Sequence, residues 1–326
     1  MSLEFEQSAW LGVNSKVFDE NIKSKAGTKN MNYMTLNNGE KMPQLGFGVY
    51  QIPNEETEKA VYQAISAGYR LIDTAISYGN EVEVGAGIAR AIADGLVTRE
   101  NLFITTKLFV NNVFNQTTAT EAIDESMDKL GLDYIDLVLL HQPYGDTFDA
   151  WRALTDAQAN WRIKSIGISN FDSAQMIEFT RMNDMKVTPQ VNQIEINPWN
   201  QRKADLAWHE KYHVQAEAWA PFAEGRHELF TNPILSEIAV KHQKSVGQVV
   251  LRWLKQRGVV ALAKSTKPER MRENLDIFDF ALDATDMDKI AELDMKEFAF
   301  FDHHDPEMVE WFMDRIENTQ PGLKRW

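Results

Sequence analysis

Between Asn54 and Phe280 the chain keeps returning to one unit, an amphipathic helical stretch followed by a short, almost purely apolar run. This restricts the fold more than any composition figure, because runs buried on both faces belong to parallel sheets whose crossovers are helices. In order, the runs are Tyr69–Asp73, Leu102–Lys107, Ile135–His141, Ser165–Asn170, Pro189–Glu195, Val214–Trp219, Val259–Ala263 and Ile277–Phe280. Helical patterns precede them, with Gly68 and Gly131 as natural C-caps and with Pro233–Arg257 long enough for one helix or two. Eight such runs in βα alternation predict an α/β fold closed into a (β/α)8 TIM barrel. Ahead of them, Tyr33–Met42 reads as two strands about Asn37-Asn38-Gly39, an N-terminal β-hairpin capping the barrel. Pro43–Pro53 reads as an irregular segment.

An open doubly wound sheet is the competing architecture. Its dinucleotide fingerprint is met only by Gly85-Ala86-Gly87-Ile88-Ala89-Arg90, which lacks the third glycine and lies inside a helical pattern, so it reads as helix packing. The chain divides into an N-terminal extension over residues 1–30, expected to be flexible, and a single domain over 31–326 with a C-terminal tail. A net charge of −14 argues against a nucleic-acid partner. With no cysteine there is no disulfide, thiolate nucleophile or Cys-ligated zinc. Neither a membrane span nor a signal peptide is visible, so a cytoplasmic protein is expected.

Several of the runs end in residues foreign to an apolar strand: Asp73, Lys107, His141, Ser169-Asn170 and Gln193. In a βα barrel these ends share one face, where chemistry collects. Tyr78 follows Asp73 by five residues and can fold back over the same strand end if Gly79 and Asn80 make the turn. A phenol titrates near 10 in water, too high for acid-base work at neutral pH. An ammonium beside it, which Lys107 can supply, is expected to lower that value. Asp73 can pair with Lys107 and hold it in place, and His141 can orient a substrate oxygen. The set protonates an oxygen and contains no obvious nucleophile, so carbonyl reduction by an external hydride is the natural reaction. A place for the donor's phosphate is offered by Lys264-Ser265-Thr266-Lys267 and Arg270, at the start of a helix after the seventh run.

These residues, in this order, resemble the aldo-keto reductases, from about Tyr33 to Trp311. The resemblance rests on Leu71-Ile72-Asp73-Thr74-Ala75 with Tyr78-Gly79-Asn80-Glu81, on Thr106-Lys107, and on Leu139-Leu140-His141-Gln142-Pro143. Farther on come Gly167-Ile168-Ser169-Asn170-Phe171, Asn192-Gln193-Ile194-Glu195 and Lys264-Ser265 with Arg270 and Glu273-Asn274. It implies a (β/α)8 oxidoreductase that uses NADPH, acts on a small-molecule carbonyl substrate and is a monomer without a membrane. It further implies that Tyr78 donates the proton, that Lys107 and Asp73 tune it, and that His141 orients the carbonyl. Ser169, Asn170 and Gln193 would bind the nicotinamide carboxamide, with Trp219 in place of the family's usual stacking tyrosine. Lys264, Ser265 and Arg270 would hold the 2′-phosphate, Glu273 and Asn274 would lie beside the adenine, and Gly48 and Val49 join the cofactor candidates. Tyr50, Phe109, Gln142, Trp199 and Phe222 are the substrate-pocket candidates. Gln142 stands where many members have tryptophan, so the closer likeness is to the bacterial Leu-His-Gln-Pro subgroup; as a separate departure, Ala263 replaces a frequent proline before Lys264. The tail Phe300–Pro306 is similar to that subgroup as well.

Two other readings compete. His209-Glu210-Lys211-Tyr212-His213 is a literal HExxH, the pattern of a zinc peptidase. Its helix leads directly into the strand at Val214, which puts His213 at the end of the barrel opposite the polar cluster, and no metal is expected. A cofactor-binding regulatory subunit on the same fold is the other, and the complete set of four polar groups argues for catalysis instead.

Overall fold

The computed structural model describes residues 32–319. The extension over residues 1–30 lies outside the described residues. The strands are β1 (Tyr33–Thr35), β2 (Lys41–Pro43), β3 (Leu45–Gly48), β4 (Leu71–Asp73), β5 (Phe103–Leu108), β6 (Ile135–Leu140), β7 (Ile163–Ser169), β8 (Val191–Glu195), β9 (Gln215–Trp219) and β10 (Val260–Ala263). β3 to β10 close into a barrel in which β10 pairs with both β3 and β9, and every barrel pair is parallel. Both faces of these strands are covered, which is why Ile135-Asp136-Leu137-Val138-Leu139-Leu140 is buried throughout. Its one charge, Asp136, meets Arg99 Nη2 at 2.7 Å and the Ile104 amide at 2.9 Å.

The expected helices form. Asn115, Asp172 and Ser245 cap three of them, and Asp283 caps a further, unanticipated helix at Ala284–Ala291, each through a side-chain bond to the amide three residues on. Pro233–Arg257 holds two helices, Pro233–His242 and Val246–Gln256. Gly85 and Gly87 lie in the helix Glu81–Ala93, where a Cβ would sit 2.5 Å from the Leu130 carbonyl oxygen and 2.8 Å from that of Glu58. They serve helix packing, as the sequence suggests.

The count of eight strands holds, but one member differs. Leu45–Gly48, expected to be irregular, is the first barrel strand, and Ile277–Phe280 is not a strand. Two glycines hide β3 from propensity reasoning, yet barrel closure requires one of them. A Cβ on Gly46 would lie 2.6 Å from Leu71 Cδ2 and 2.7 Å from Leu262 Cδ2. Around Ile277, side chains take the carbonyls a sheet would have used: Arg252 Nη1 donates to the Ile277 oxygen at 3.0 Å and Gln248 Nε2 to that of Asp276 at 2.8 Å. Phe280 then packs beneath Lys244 and Arg252.

The hairpin β1–β2 caps the N-terminal end of the barrel. Leu36 and Met42 pack against Leu71, Phe103, Leu137, Leu139, Val191, Val260 and Leu262 inside it. Asn37 Nδ2 donates to the Pro189 and His213 carbonyls, and Asn38 Nδ2 to that of Lys164 and to Ser165 Oγ. With that end plugged, the open end is the one where Asp73 and Ser169 end their strands and Lys107 stands one residue before the end of β5. No helix among the described residues is long and apolar enough to cross a membrane.

Candidate active site

At the open end four side chains from three neighbouring strands and their following turns meet. The turn Ile76–Tyr78 is closed by Gly79 at φ 68°, where a residue with a Cβ would be strained, and its amide donates to Ile76 O. Asn80 ties this turn down: its side chain accepts from Thr74 Oγ1 at 2.9 Å and donates to Val49 O at 3.2 Å. Tyr78 is thereby folded back over β4, as the sequence anticipates. Lys107, with 0% of its side chain exposed, reaches from β5 to Asp73 Oδ1 at 2.7 Å, Thr74 O at 2.8 Å and Tyr78 Oη at 3.3 Å. His141, one residue beyond β6, places its ring edge-on to Tyr78 at 5.7 Å. Its Nδ1 lies 3.4 Å from Ser77 Oγ, which leaves Nε2 as the nitrogen without a protein partner among the described residues.

Electrostatics set the charge state of each group. Burial pushes the Tyr78 phenol up to about 12, and Lys107 offsets only part of that shift. The expectation that Lys107 brings the phenol below its ordinary value is therefore corrected: desolvation beneath the rim outweighs the ammonium, and Tyr78 stays neutral throughout the physiological range. That state is the one a proton donor needs. Burial also opposes the charge on Lys107, yet Asp73 and Tyr78 outweigh it and hold the ammonium above its usual range. His141 is driven well below the ordinary imidazole value by burial, with Lys107 and His303 adding to it, so it is a neutral hydrogen-bonding group.

The neighbouring strand ends contribute as anticipated in place, with their bonding partly committed to the protein. Ser169 Oγ donates to Gln193 O at 2.8 Å. Asn170 Nδ2 donates to His141 O at 2.9 Å, and its Oδ1 accepts from Trp219 Nε1 at 2.9 Å. Gln193 Nε2 donates to Asp73 Oδ2 at 3.0 Å and to Glu217 Oε2 at 2.8 Å. A cavity of about 370 Å³ opens between Gln51–Pro53 with Glu56 on one side and Lys264–Lys267 with Arg270 on the other. Neither Lys264 nor Arg270 has an ion-pair partner among the described residues, and the helix Pro268–Leu275 starts beside them. Uncompensated cations at a helix N-terminus, in a cleft of this size, fit a phosphate. On that helix Asn274 is buried and Glu273 exposed. Gly48 pairs with Asp73 across β3 and β4, and a Cβ there would meet only Leu262 Cβ, at an ordinary contact distance of 4.0 Å. Val49 differs from its neighbour: it is fully buried, its amide donates to Asp73 O and its carbonyl accepts from Asn80, so it belongs to the core.

Of the substrate-pocket candidates, three reach the rim. Tyr50 is exposed and its ring lies 4.9 Å from that of Tyr78. Phe109 packs 5.6 Å from His141, and Gln142 Oε1 lies 2.7 Å from His303 Nε2. Trp199 and Phe222 are not brought to this cluster. Trp199 is buried, with Nε1 donating to Arg226 O, and Phe222 packs on Phe230. Sequence reasoning missed Ser77, Glu217 and the individual residues of the C-terminal wall. Phe312 of the helix Pro306–Thr319 covers Phe109, Phe301 packs on His303, and Phe300 packs on Trp219. Their separation of more than 150 residues from Gln142 leaves only the aromatic density of the tail as a signal.

The two histidines of the HExxH segment do not converge on one site. His209 Nε2 lies 3.0 Å from Asn192 Nδ2 and its Nδ1 2.7 Å from Asp205 O, while His213 sits past the helix end beside the hairpin. No group of three or more potential ligands is found among the described residues.

Known proteins share this arrangement of strands. A profile described as the Aldo/keto reductase family matches residues 42–295. A morphine 6-dehydrogenase of Pseudomonas putida is 43% identical over 275 residues, 80% of this chain and 90% of the relative. A methylglyoxal reductase of Escherichia coli (strain K12) is 40% identical over 269 residues, 81% of this chain and 94% of the relative. Among solved structures, a Bombyx mori aldo-keto reductase in complex with NADP superposes with a TM-score of 0.78 at 36% identity, covering 83% of this chain and 95% of the other.

Proposed function

The chain belongs to the aldo/keto reductase family, and from that premise we propose how its residues divide the work of reducing a carbonyl. It is an NADP-dependent oxidoreductase that converts aldehydes or ketones to alcohols. The observation that carries the residue assignment is Lys107 Nζ, fully buried and within 3.3 Å of both Asp73 Oδ1 and Tyr78 Oη. When bound, NADPH supplies the hydride. Everything else is done by side chains of this chain. His141 Nε2 donates to the carbonyl oxygen and aims it at Tyr78. As charge develops on that oxygen, the Tyr78 hydroxyl gives up its proton. Lys107, held by Asp73, stabilises the phenolate left behind. Lys264 and Arg270, with the Ser265 hydroxyl, hold the 2′-phosphate, and Ser169, Asn170 and Gln193 with Trp219 receive the nicotinamide ring.

The substrate class follows from the wall opposite Tyr78. Gln142 bonds His303 there, Phe109 packs on Phe312, and Tyr50 lies against Tyr78. Such a pocket suits a small carbonyl carrying a second oxygen, the chemistry named in the methylglyoxal reductase relative. The test is a spectrophotometric screen of NADPH oxidation over aldehydes, ketones, 2-oxoaldehydes and keto-sugars, repeated with NADH. A 2-oxoaldehyde should give the highest kcat/KM; preference for bulky aromatic ketones would overturn this substrate class.

The phosphate assignment makes a separate prediction. Arg270→Ala removes one charge-assisted contact, which is expected to raise the Kd for NADPH by about 10-fold or more. NADH, which has no 2′-phosphate, should bind much as before. Fluorescence titration with both cofactors decides it, and equal losses for the two would remove Arg270 from the phosphate site.

A further inference from the structure

Glu217 is a buried acid that the reaction as described does not use. It projects from β9, two residues before Trp219, and is wholly enclosed. Its Oε2 accepts from Gln193 Nε2 at 2.8 Å, and the same nitrogen donates to Asp73 Oδ2 at 3.0 Å. Its Oε1 is buried without a hydrogen-bond partner among the described residues. One amide thus bridges two carboxylates, and a single ammonium, Lys107, is within reach to balance them. Asp73 takes that ammonium at 2.7 Å. An ionised Glu217 would be a buried charge with no counter-ion of its own, which is very costly, so the acid keeps its proton.

We propose that Glu217 is a positioning residue for the reduction: bridged to Asp73 by the Gln193 amide, it sets the charge of the buried cluster that holds Lys107 against Tyr78. The proposal rests on the assignment of Tyr78 as proton donor. The titratable groups that act on Glu217 are Asp73 on β4 and Lys107 on β5, with Gln193 on β8 as a neutral donor; on its other side β10 presents Val260, which is apolar. Burial and the charge on Asp73 together push the Glu217 carboxyl up to about 8. Below that pH the cluster holds one anion and one cation. Above it a second anion competes for Lys107 and disfavours a phenolate on Tyr78, so the phenol becomes a weaker acid and reduction slows. Tyr78, pushed up to about 12, and His141, held well below the ordinary imidazole value, do not produce such a limb; the Asp73 carboxyl is also raised by burial, and Glu217→Gln separates its contribution from that of Glu217.

The experiment compares wild-type protein with Glu217→Gln, which keeps the acceptor for Gln193 and cannot ionise. The pH profile of kcat for aldehyde reduction in wild type should fall as pH passes about 8. In the variant that limb should move up by about one pH unit or more. A second readout needs no cofactor. A carboxyl whose folded value lies above its unfolded one binds more protons when folded, so its contribution to stability is lost as pH rises. Wild-type melting temperature should therefore drop relative to Glu217→Gln between about pH 5 and pH 8. Identical kcat profiles in the two proteins, or parallel melting curves across pH, would overturn the proposal. Tyr78→Phe is run beside them: if it retains full turnover, the proton-donor reading has failed, whereas an inactive Tyr78→Phe with unshifted Glu217→Gln profiles removes the Glu217 role alone.

Discussion

Tyr78→Phe is expected to lower kcat for NADPH-dependent aldehyde reduction by about 10²- to 10⁴-fold, the range that a positioned general acid contributes. The change deletes one oxygen and nothing else that holds the site together. The ring keeps its neighbours Tyr50, at 4.9 Å, and His141, at 5.7 Å, and Lys107 keeps Asp73 and the Thr74 carbonyl. Neither cofactor affinity nor folding should therefore move appreciably. No other protein acid can replace the phenol: His141 is neutral at working pH and Lys107 is enclosed. Single-turnover absorbance measurements report the chemical step, and a fluorescence titration reports NADPH binding. Unchanged turnover would refute the assignment of the proton, and loss of NADPH binding would mean that the ring, not the hydroxyl, is what matters.

How much of this was legible beforehand depends on the distance over which each residue's signal acts. Asp73, Tyr78, Lys107 and His141 could be read because each interrupts or follows an apolar strand, and strand ends in such a barrel share one face. The turn at Gly79-Asn80 was legible for a local reason, since φ 68° there favours glycine. β3 was not, because its role depends on Gly46 fitting between Leu71 and Leu262, which are remote in sequence. Ile277–Phe280 misled for the opposite reason: its alternation is that of a strand, but Arg252 claims the Ile277 carbonyl and Gln248 that of Asp276 just before it. Glu217 was hidden because it becomes unusual only once Gln193 and Asp73 are known to be its neighbours. The direction of the Tyr78 shift was misjudged because an ammonium can be counted in a sequence and the depth of burial cannot.

Lys107→Met is the most damaging single change the site predicts for the fold itself. It removes the only cation from a buried cluster that contains Asp73 and Glu217, and breaking one partner of a buried ion pair costs about 3–5 kcal/mol. Set against a total stability of about 5–15 kcal/mol, that is enough to depopulate the native state under mild denaturant. The loss must depend on pH, and its sign follows from the chemistry. Burial already raises the Asp73 carboxyl above its ordinary value in the intact protein, with Lys107 opposing the shift; without the ammonium it is driven further up, so the folded form of the variant binds still more protons than the unfolded one. Stability is then lost as pH rises through the ordinary carboxylate range and beyond. Denaturant midpoints for Lys107→Met should accordingly lie far below wild type at pH near 8 and approach it towards pH near 4. The paired change Asp73→Asn with Lys107→Met removes the stranded charge as well and should recover much of the stability with none of the activity. Such recovery separates a cost of uncompensated charge from a cost of lost packing, because both variants carry the same methionine. If Lys107→Met alone unfolds at the wild-type midpoint at pH near 8, the Asp73–Lys107 pair is not the buried, fully desolvated contact described above, and the support it gives to Tyr78 falls with it.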